Sequence, residues 1–222
     1  MTLRLDGYEV RLGEAPLAAL HGAVAPGEVL SVMGPSGAGK SSLLLGIAGL
    51  LAPPFRVLGR VFLGGEEITH LAAERRGTGL MFQDALLFPH MSVLGNVMFA
   101  VPRRGADGRR RGRAARRAAA LGHLARVEME ALADRDPATL SGGQRSRVAL
   151  ARTLAGEPRA LLLDEPFSAL DQALRAQTRA IVFALAREDG LPVVMVSHDP
   201  ADAEAAGGRI VEVRPCLPGS RD

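Results

Sequence analysis
The chain has 222 residues, enough for one large domain or two small ones, and its 47% hydrophobic share is that of an ordinary soluble globular protein. No run approaches the roughly 20 apolar residues that cross a bilayer, and the first residues, Met1 to Asp6, lack the apolar stretch of a secretory signal. The lone cysteine, Cys216, excludes an internal disulfide and points to a reducing compartment, and the net charge of +3 is modest.

In chain order, strand-like runs are predicted at 2–5, Val29–Met33, 60–63, 79–82, Ala160–Asp164, 192–196 and 209–213. Strands alternate with helical patterns at both ends of the chain, which argues for an α/β sheet layered with helices. Between 85 and 156 the sequence offers helix after helix and no convincing strand, with breaks at Pro102-Arg103-Arg104-Gly105 and Asp136-Pro137. That stretch is expected to form a helical subdomain inserted into an α/β core of about 1–84 and 157–215. Within it, eight arginines fall between Arg103 and Arg117. No aromatic residue interleaves with them, so a solvated loop leading into the polar face of a helix at 110–126 is favoured over a nucleic-acid or lipid patch.

The first chemical signal follows the strand Val29–Met33. Of 27 basic residues only one is a lysine, and it lies in Gly34-Pro35-Ser36-Gly37-Ala38-Gly39-Lys40-Ser41. Lysine is a compact point charge on a slim stem, whereas arginine is a wide planar fork. The segment fits G-x-x-x-x-G-K-[ST], the phosphate-cradling P-loop. Its glycines let backbone N–H groups turn inward as an anion nest. A helix predicted at 42–50, opening just after the loop, adds its positive end. Lys40 is expected at the β- and γ-phosphates of a nucleoside triphosphate, Ser41 at Mg²⁺, and Ser42 beside them.

A second signal lies at the end of Ala160–Asp164, an apolar strand that delivers two carboxylates, Asp164 and Glu165. Ligands of α/β sheets collect outside the carboxyl ends of strands, where these acids stand. Asp164 is expected in the Mg²⁺ shell opposite Ser41, and Glu165 as the general base that polarises the attacking water.

Leu140-Ser141-Gly142-Gly143-Gln144 precedes an amphipathic helix at 145–155 and resembles the signature motif of ATP-binding-cassette (ABC) ATPases. Gln83 resembles the Q-loop glutamine of that family, Ser168-Ala169-Leu170-Asp171 its D-loop, and Ser197-His198-Asp199 its switch histidine. The motifs stand in the family's order, and the resemblance covers nearly the whole chain. It implies an ABC fold, a P-loop core with an inserted helical subdomain. It also implies ATP and Mg²⁺ as cofactors, Gln83 at the metal and the attacking water, and His198 on the γ-phosphate. The family works as head-to-tail dimers that sandwich each ATP, so Ser141, Gly142, Gly143 and Gln144 would meet the nucleotide of a partner chain. The family also places an aromatic residue upstream of the P-loop to stack on adenine. Here Tyr8 lies slightly too far upstream and Arg11 stands nearer the expected position, and the choice stays open.

Chromosome-maintenance and recombination members carry hundreds of coiled-coil residues between these motifs, whereas Ser141 follows Gln83 by 58 positions. Translation members carry two cassettes, and excision-repair members need zinc cysteines. Residues Phe82 to Val97 look like the ATP-binding subunits of bacterial thiamine, iron, sulfate and polyamine importers. By that resemblance the chain is a peripheral subunit on the cytoplasmic face of the inner membrane. Its partners are separate permease subunits and, indirectly, a substrate-binding protein, and nucleic acid is not expected. Leu86, Leu87, Phe88 and Met91 are the apolar residues expected to offer a groove to the permease. The alternatives are a nucleic-acid-associated ABC ATPase and the ATPase of an exporter or membrane-remodelling complex. Because the sequence ends at Asp222, regulation through an appended β-domain is not expected.

Overall fold
A computed structural model describes residues 1–105 and 107–213. Cys216 therefore lies outside the described residues. The chain divides into two compact units. The first comprises Met1–Leu80, Arg159–Glu165 and the residues from Ala186 onward, and the second Met81–Pro158 and Pro166–Leu185.

The first unit holds two sheets. One is a four-stranded antiparallel sheet in the order β2-β1-β4-β5, built from β1 (Leu3–Leu12), β2 (Ala15–Val24), β4 (Phe55–Leu63) and β5 (Glu66–Glu67). Only fragments of it were expected, at 2–5 and 60–63. The physical reason is an irregularity in β1, where the inward residues are Leu3 and Leu5, then Tyr8 and Val10. A register shift between Leu5 and Tyr8 changes the parity, so simple alternation fails as a guide. Gly59 makes this possible on the facing strand, with φ of 76° and an added Cβ that would fall 2.1 Å from the carbonyl oxygen of Gly7. β2 is rich in alanine and glycine and carries little strand signal of its own.

The second sheet has the order β6-β7-β8-β3-β9, with β3 (Val29–Met33), β6 (Thr78–Met81), β7 (Ala160–Asp164), β8 (Val193–Val196) and β9 (Ile210–Glu212). β7, β8, β3 and β9 pair in parallel. β7 and β8 are buried almost throughout, as strands covered on both faces must be. The register sets Asp164 beside Val196 and Val196 beside Val32. One row further on, the three strands deliver Glu165, Ser197 and Met33 side by side. This alignment fixes where the chemistry can lie. Helix α1 (Lys40–Ala48) follows β3 and ends at Gly49, whose φ is 76°. Helix α6 (Pro200–Ala206) follows β8. Leu43, Leu44 and Ile47 of α1 join Leu3, Leu5, Tyr8, Val61 and Leu162 in one core.

The second unit is helical: α2 (Val93–Ala100), α3 (Arg113–Arg126) and α4 (Gly142–Ala155) pack on one another, with most of α5 (Gln172–Glu188) in the same unit. Pro166–Leu185 was expected in the α/β core and instead belongs here. Phe167, fully buried, meets the ring of Phe183 edge-on at 5.9 Å, a contact that no local pattern announces. The arginine-rich stretch forms a small hairpin, closed by the amide of Arg111 on the carbonyl of Arg103 and that of Gly105 on Arg109, and helix α3 starts at Arg113 rather than 110.

Candidate functional site
The P-loop closes on its own lysine. Lys40 is 5% exposed, and its Nζ donates to the carbonyl oxygens of Gly34 and Pro35, both at 2.9 Å. The ammonium is thus already held over the loop that would receive phosphate. Gly34 is obligatory, because its φ is 152° and an added Cβ would lie 2.3 Å from the carbonyl oxygen of Val213. Gly39, with φ of 80°, sits directly before α1, and a Cβ there would lie 2.6 Å from Cγ of Leu17. The backbone of Ser36, Gly37, Ala38 and Gly39 turns into the start of α1, where Ser41 and Ser42 occupy the first turn.

Across the sheet, the hydroxyl of Ser41 donates to Oδ1 of Asp164 at 2.9 Å. Burial is the largest influence on the Asp164 carboxyl and raises its pKa, while the Ser41 hydrogen bond lowers it. The charge of Glu165 raises it further and that of Lys40 opposes it. Among the described residues no cluster of three or more histidine, cysteine or acidic side chains is present. A hydroxyl and one carboxylate are nevertheless the hard-oxygen set that Mg²⁺ takes when water and nucleotide phosphates complete its octahedron. These residues fit that ion.

Glu165 has φ of 45°, an uncommon backbone for a non-glycine residue. Its amide donates to the carbonyl of Val196 at 3.0 Å. Its Oε2 lies 3.2 Å from Nδ1 of His198. Behind His198, the buried Ser197 donates to Oδ2 of Asp202 at 2.7 Å and accepts from the amide of Asp199 at 3.1 Å. Asp199 caps α6 through the amide of Ala201. Asp202 is a supporting residue that the motifs did not reveal, because its role depends on one turn of helix folding back over the strand end.

A cavity of about 390 Å³ joins the P-loop, from Ser36 to Ser42, with Glu165 on one side and Leu12, Leu17 and Phe55 on another. Neither upstream candidate for base stacking serves it. Tyr8 is fully buried, its hydroxyl donates to the carbonyl of Leu43 at 3.0 Å, and burial pushes its pKa above the ordinary range. Arg11 lies between the inward Val10 and Leu12, so it projects to the outer face of β1, where it pairs with Glu9 at 2.9 Å.

The remaining expected residues belong to the second unit. Ser141 is the N-cap of α4 and shares a reciprocal capping box with Gln144, whose amide donates to the serine hydroxyl at 3.3 Å. In return, Oε1 of Gln144 accepts from the amide of Ser141 at 2.9 Å. Gly142 and Gly143 then occupy the first turn, whose amides have no acceptor within the helix. Gly143 is also needed for packing, since a Cβ there would fall 1.9 Å from Cδ2 of Leu174. Gln83 is exposed and lines a small cavity of about 100 Å³ with Gly142, Ser146 and Pro166. Of the apolar residues expected in a groove, Leu86 is 57% exposed, with φ of 44°. Phe88 is not free: it is half-buried, stacks edge-on against Phe99 at 5.0 Å, and its amide donates to Asn96. Arg152 donates to the carbonyls of Ala85 and Leu86 and so holds the segment.

The ABC transporter family profile matches residues 17–168. The chain belongs to that family. It is 46% identical over 188 residues to the spermidine/putrescine import ATP-binding protein PotA of Frankia alni, spanning 85% of this chain and 39% of that protein. To the molybdenum import ATP-binding protein ModC of Mycobacterium tuberculosis it is 47% identical over 192 residues, spanning 85% of this chain and 52% of ModC. The uncharacterized ABC transporter ATP-binding protein YnjD of Escherichia coli is 45% identical over 204 residues, 91% of each chain. Among solved structures, the dimeric structure of MJ0796, a bacterial ABC transporter cassette, aligns with a TM-score of 0.75 and 33% identity over 96% of this chain and 94% of that one. The chain thus spans about half or less of PotA and ModC, and nearly all of YnjD and the MJ0796 cassette.

Proposed function
We propose that the chain is the ATP-binding and ATP-hydrolysing subunit of an ABC importer, driving transport through separate permease subunits at the cytoplasmic face of the membrane. The observation that carries the reading is the row of β7, β8 and β3, which puts Asp164 on Ser41 and Glu165 on His198 at the mouth of the P-loop. No described helix is long and apolar enough to cross a membrane. The names of PotA and ModC as import ATP-binding proteins favour import over export.

In this mechanism Lys40 and the backbone of Gly37, Ala38 and Gly39 bind the phosphates. Ser41 and Asp164 would hold Mg²⁺, whose charge would offset that of the phosphate oxygens, and Gln83 is taken as a further ligand on the family resemblance alone. Glu165 takes a proton from water as its oxygen attacks the γ-phosphorus, and the bond to the ADP oxygen breaks. His198, steadied by Ser197 and Asp202, orients Glu165 and the γ-phosphate. The start of α4, with the exposed Ser141 followed by Gly142, Gly143 and Gln144, serves the ATP of a second copy. The dimeric form of the MJ0796 cassette supports assembly of two copies. In the importer as a whole a substrate-binding protein acts outside the permease.

Glu165→Gln tests the reading. It should retain ATP affinity and lose turnover by about 10²–10⁴-fold, as the removal of a general base does. A steady-state phosphate-release assay beside equilibrium binding measures both, and wild-type turnover in the variant would reject Glu165 as the base.

A further inference from the structure
The cavity at the P-loop has two chemically different sides. Ser36 to Ser42 form a polar wall that receives phosphate, and Leu12, Leu17 and Phe55 form an apolar wall. Leu12 at the end of β1 and Phe55 at the start of β4 are direct cross-strand partners, so the two side chains share the inner face of the sheet. Gly13, which begins the turn to β2, donates its amide to the carbonyl of Pro54 and ties this turn to the segment that presents Phe55.

A nucleoside triphosphate carries a flat, weakly hydrated base beyond its phosphates, and such a base gains from an aromatic face. The chain has one tyrosine, no tryptophan and seven phenylalanines. Tyr8 is consumed in the core. Phe62 lies on the outer face of the same sheet beneath the guanidinium of Arg4, 4.2 Å from its ring centre. Phe82, Phe88, Phe99, Phe167 and Phe183 belong to the other unit. Phe55 alone among them lines this cavity.

Building on the nucleotide-binding reading above, we infer that Phe55 is the seat of the base, flanked by Leu12 and Leu17, and that this seat accepts adenine and guanine with little discrimination. The aromatic surface comes from β4 instead of β1, where neither Tyr8 nor Arg11 reaches the cavity. The second half of the inference follows from side-chain chemistry. Leu12, Leu17 and Phe55 offer no hydrogen-bonding group to the edge of a base. Strong discrimination arises where buried polar groups are left unpaired by the wrong ligand, and an apolar seat supplies none.

Calorimetry on the full chain with Mg²⁺ and three probes, ATP, GTP and inorganic tripolyphosphate, tests the inference. The wild-type protein should bind ATP and GTP within about tenfold of each other, the small ratio expected of an apolar pocket. Phe55→Ala should weaken both nucleotides by roughly 5- to 100-fold, as loss of one stacking face does, and leave tripolyphosphate unchanged. Phe55→Trp preserves a packed aromatic and introduces the only tryptophan of the chain. Its fluorescence should be quenched by ATP and GTP and unaffected by tripolyphosphate. Three results would overturn the inference: native nucleotide affinity in Phe55→Ala, an equal loss of tripolyphosphate, or an indifferent tryptophan. A wild-type preference for one purine beyond a hundredfold would overturn its selectivity half. A different failure, wild-type protein that binds neither ATP nor tripolyphosphate, would instead remove the nucleotide-binding reading itself.

Discussion

Asp164 shows how a single residue can serve chemistry against the interest of the fold. Partial burial, and to a lesser degree the charge of Glu165, raise its pKa above the ordinary 3.8, against the opposing Ser41 hydrogen bond and Lys40 charge. A carboxyl that holds its proton more tightly when folded stabilises the protein below the ordinary pKa. That contribution is lost as pH rises through the raised value. At neutral pH the charged group therefore burdens the empty protein. Asp164→Asn should raise the melting temperature of nucleotide-free protein at pH 7 and flatten its pH dependence in the acid range, while Mg²⁺-dependent hydrolysis collapses. Thermal unfolding across pH, paired with an ATPase assay, measures both, and a destabilised variant at pH 7 would contradict the argument. Lys40 is the opposite case, a charge fully supported by its surroundings. Its slim stem lies under two loop carbonyls, and a guanidinium is too wide for the same place. Lys40→Arg should lose most of its affinity for a fluorescent ATP analogue, and near-native binding would refute the steric reasoning.

Among the elements, α4 carries two duties at one end. Its capping box fixes where the helix starts, and the amides of its first-turn glycines have no acceptor within the helix. Gly143 adds a constraint that only packing reveals, since any side chain there would enter the space of Leu174 on α5. Gly143→Ala should destabilise the protein by about 1–3 kcal/mol, the usual cost of overpacking. The double variant Gly143→Ala with Leu174→Ala should recover part of that loss. Urea unfolding of the four proteins of this cycle gives the coupling, and strict additivity would show that the two residues do not collide. The sheets divide in the same way. β3, β7 and β8 are legible because they are short, continuous apolar runs. β1 and β4 are legible only at 2–5 and 60–63, because a register shift breaks the period, and β2 escapes notice because its side chains are small. Their pairing is set by partners distant in sequence.

For the whole molecule, the proposed permease contact is tested best at Leu86. This side chain is exposed, whereas Phe88 is occupied by Phe99 and Asn96, so a charge at Phe88 would damage the unit before it reached any partner. Leu86→Asp should keep ATP binding and thermal stability and lose co-purification with permease from detergent-solubilised membranes. Replacing Arg109, Arg110 and Arg111 with glutamine should have little effect on ATP turnover. Arg109 and Arg110 stand exposed in a short hairpin, and the side chain of Arg111 pairs with Glu157 at the surface. Salt-sensitive stimulation of turnover by DNA or RNA, removed by that triple change, would favour the nucleic-acid alternative instead.

The sequence alone determined the chemistry that depends on adjacent residues. A P-loop is local, since its glycines, lysine and serine act within one turn, and so are the paired acids at the end of an apolar strand. These motifs could therefore be read without coordinates, and the family they resemble is the one to which the chain belongs. Tertiary structure decided everything that needs residues distant in the chain. It set Asp164 against Ser41 through strand register and gave Ser197, the neighbour of His198, the carboxylate of Asp202. It moved Pro166–Leu185 into the helical unit through Phe167 and Phe183, buried Tyr8, and turned Arg11 outward. It also brought Phe55 beside the P-loop. Such placements follow from burial and cross-strand pairing, which are properties of the folded chain and leave no fixed spacing in its sequence.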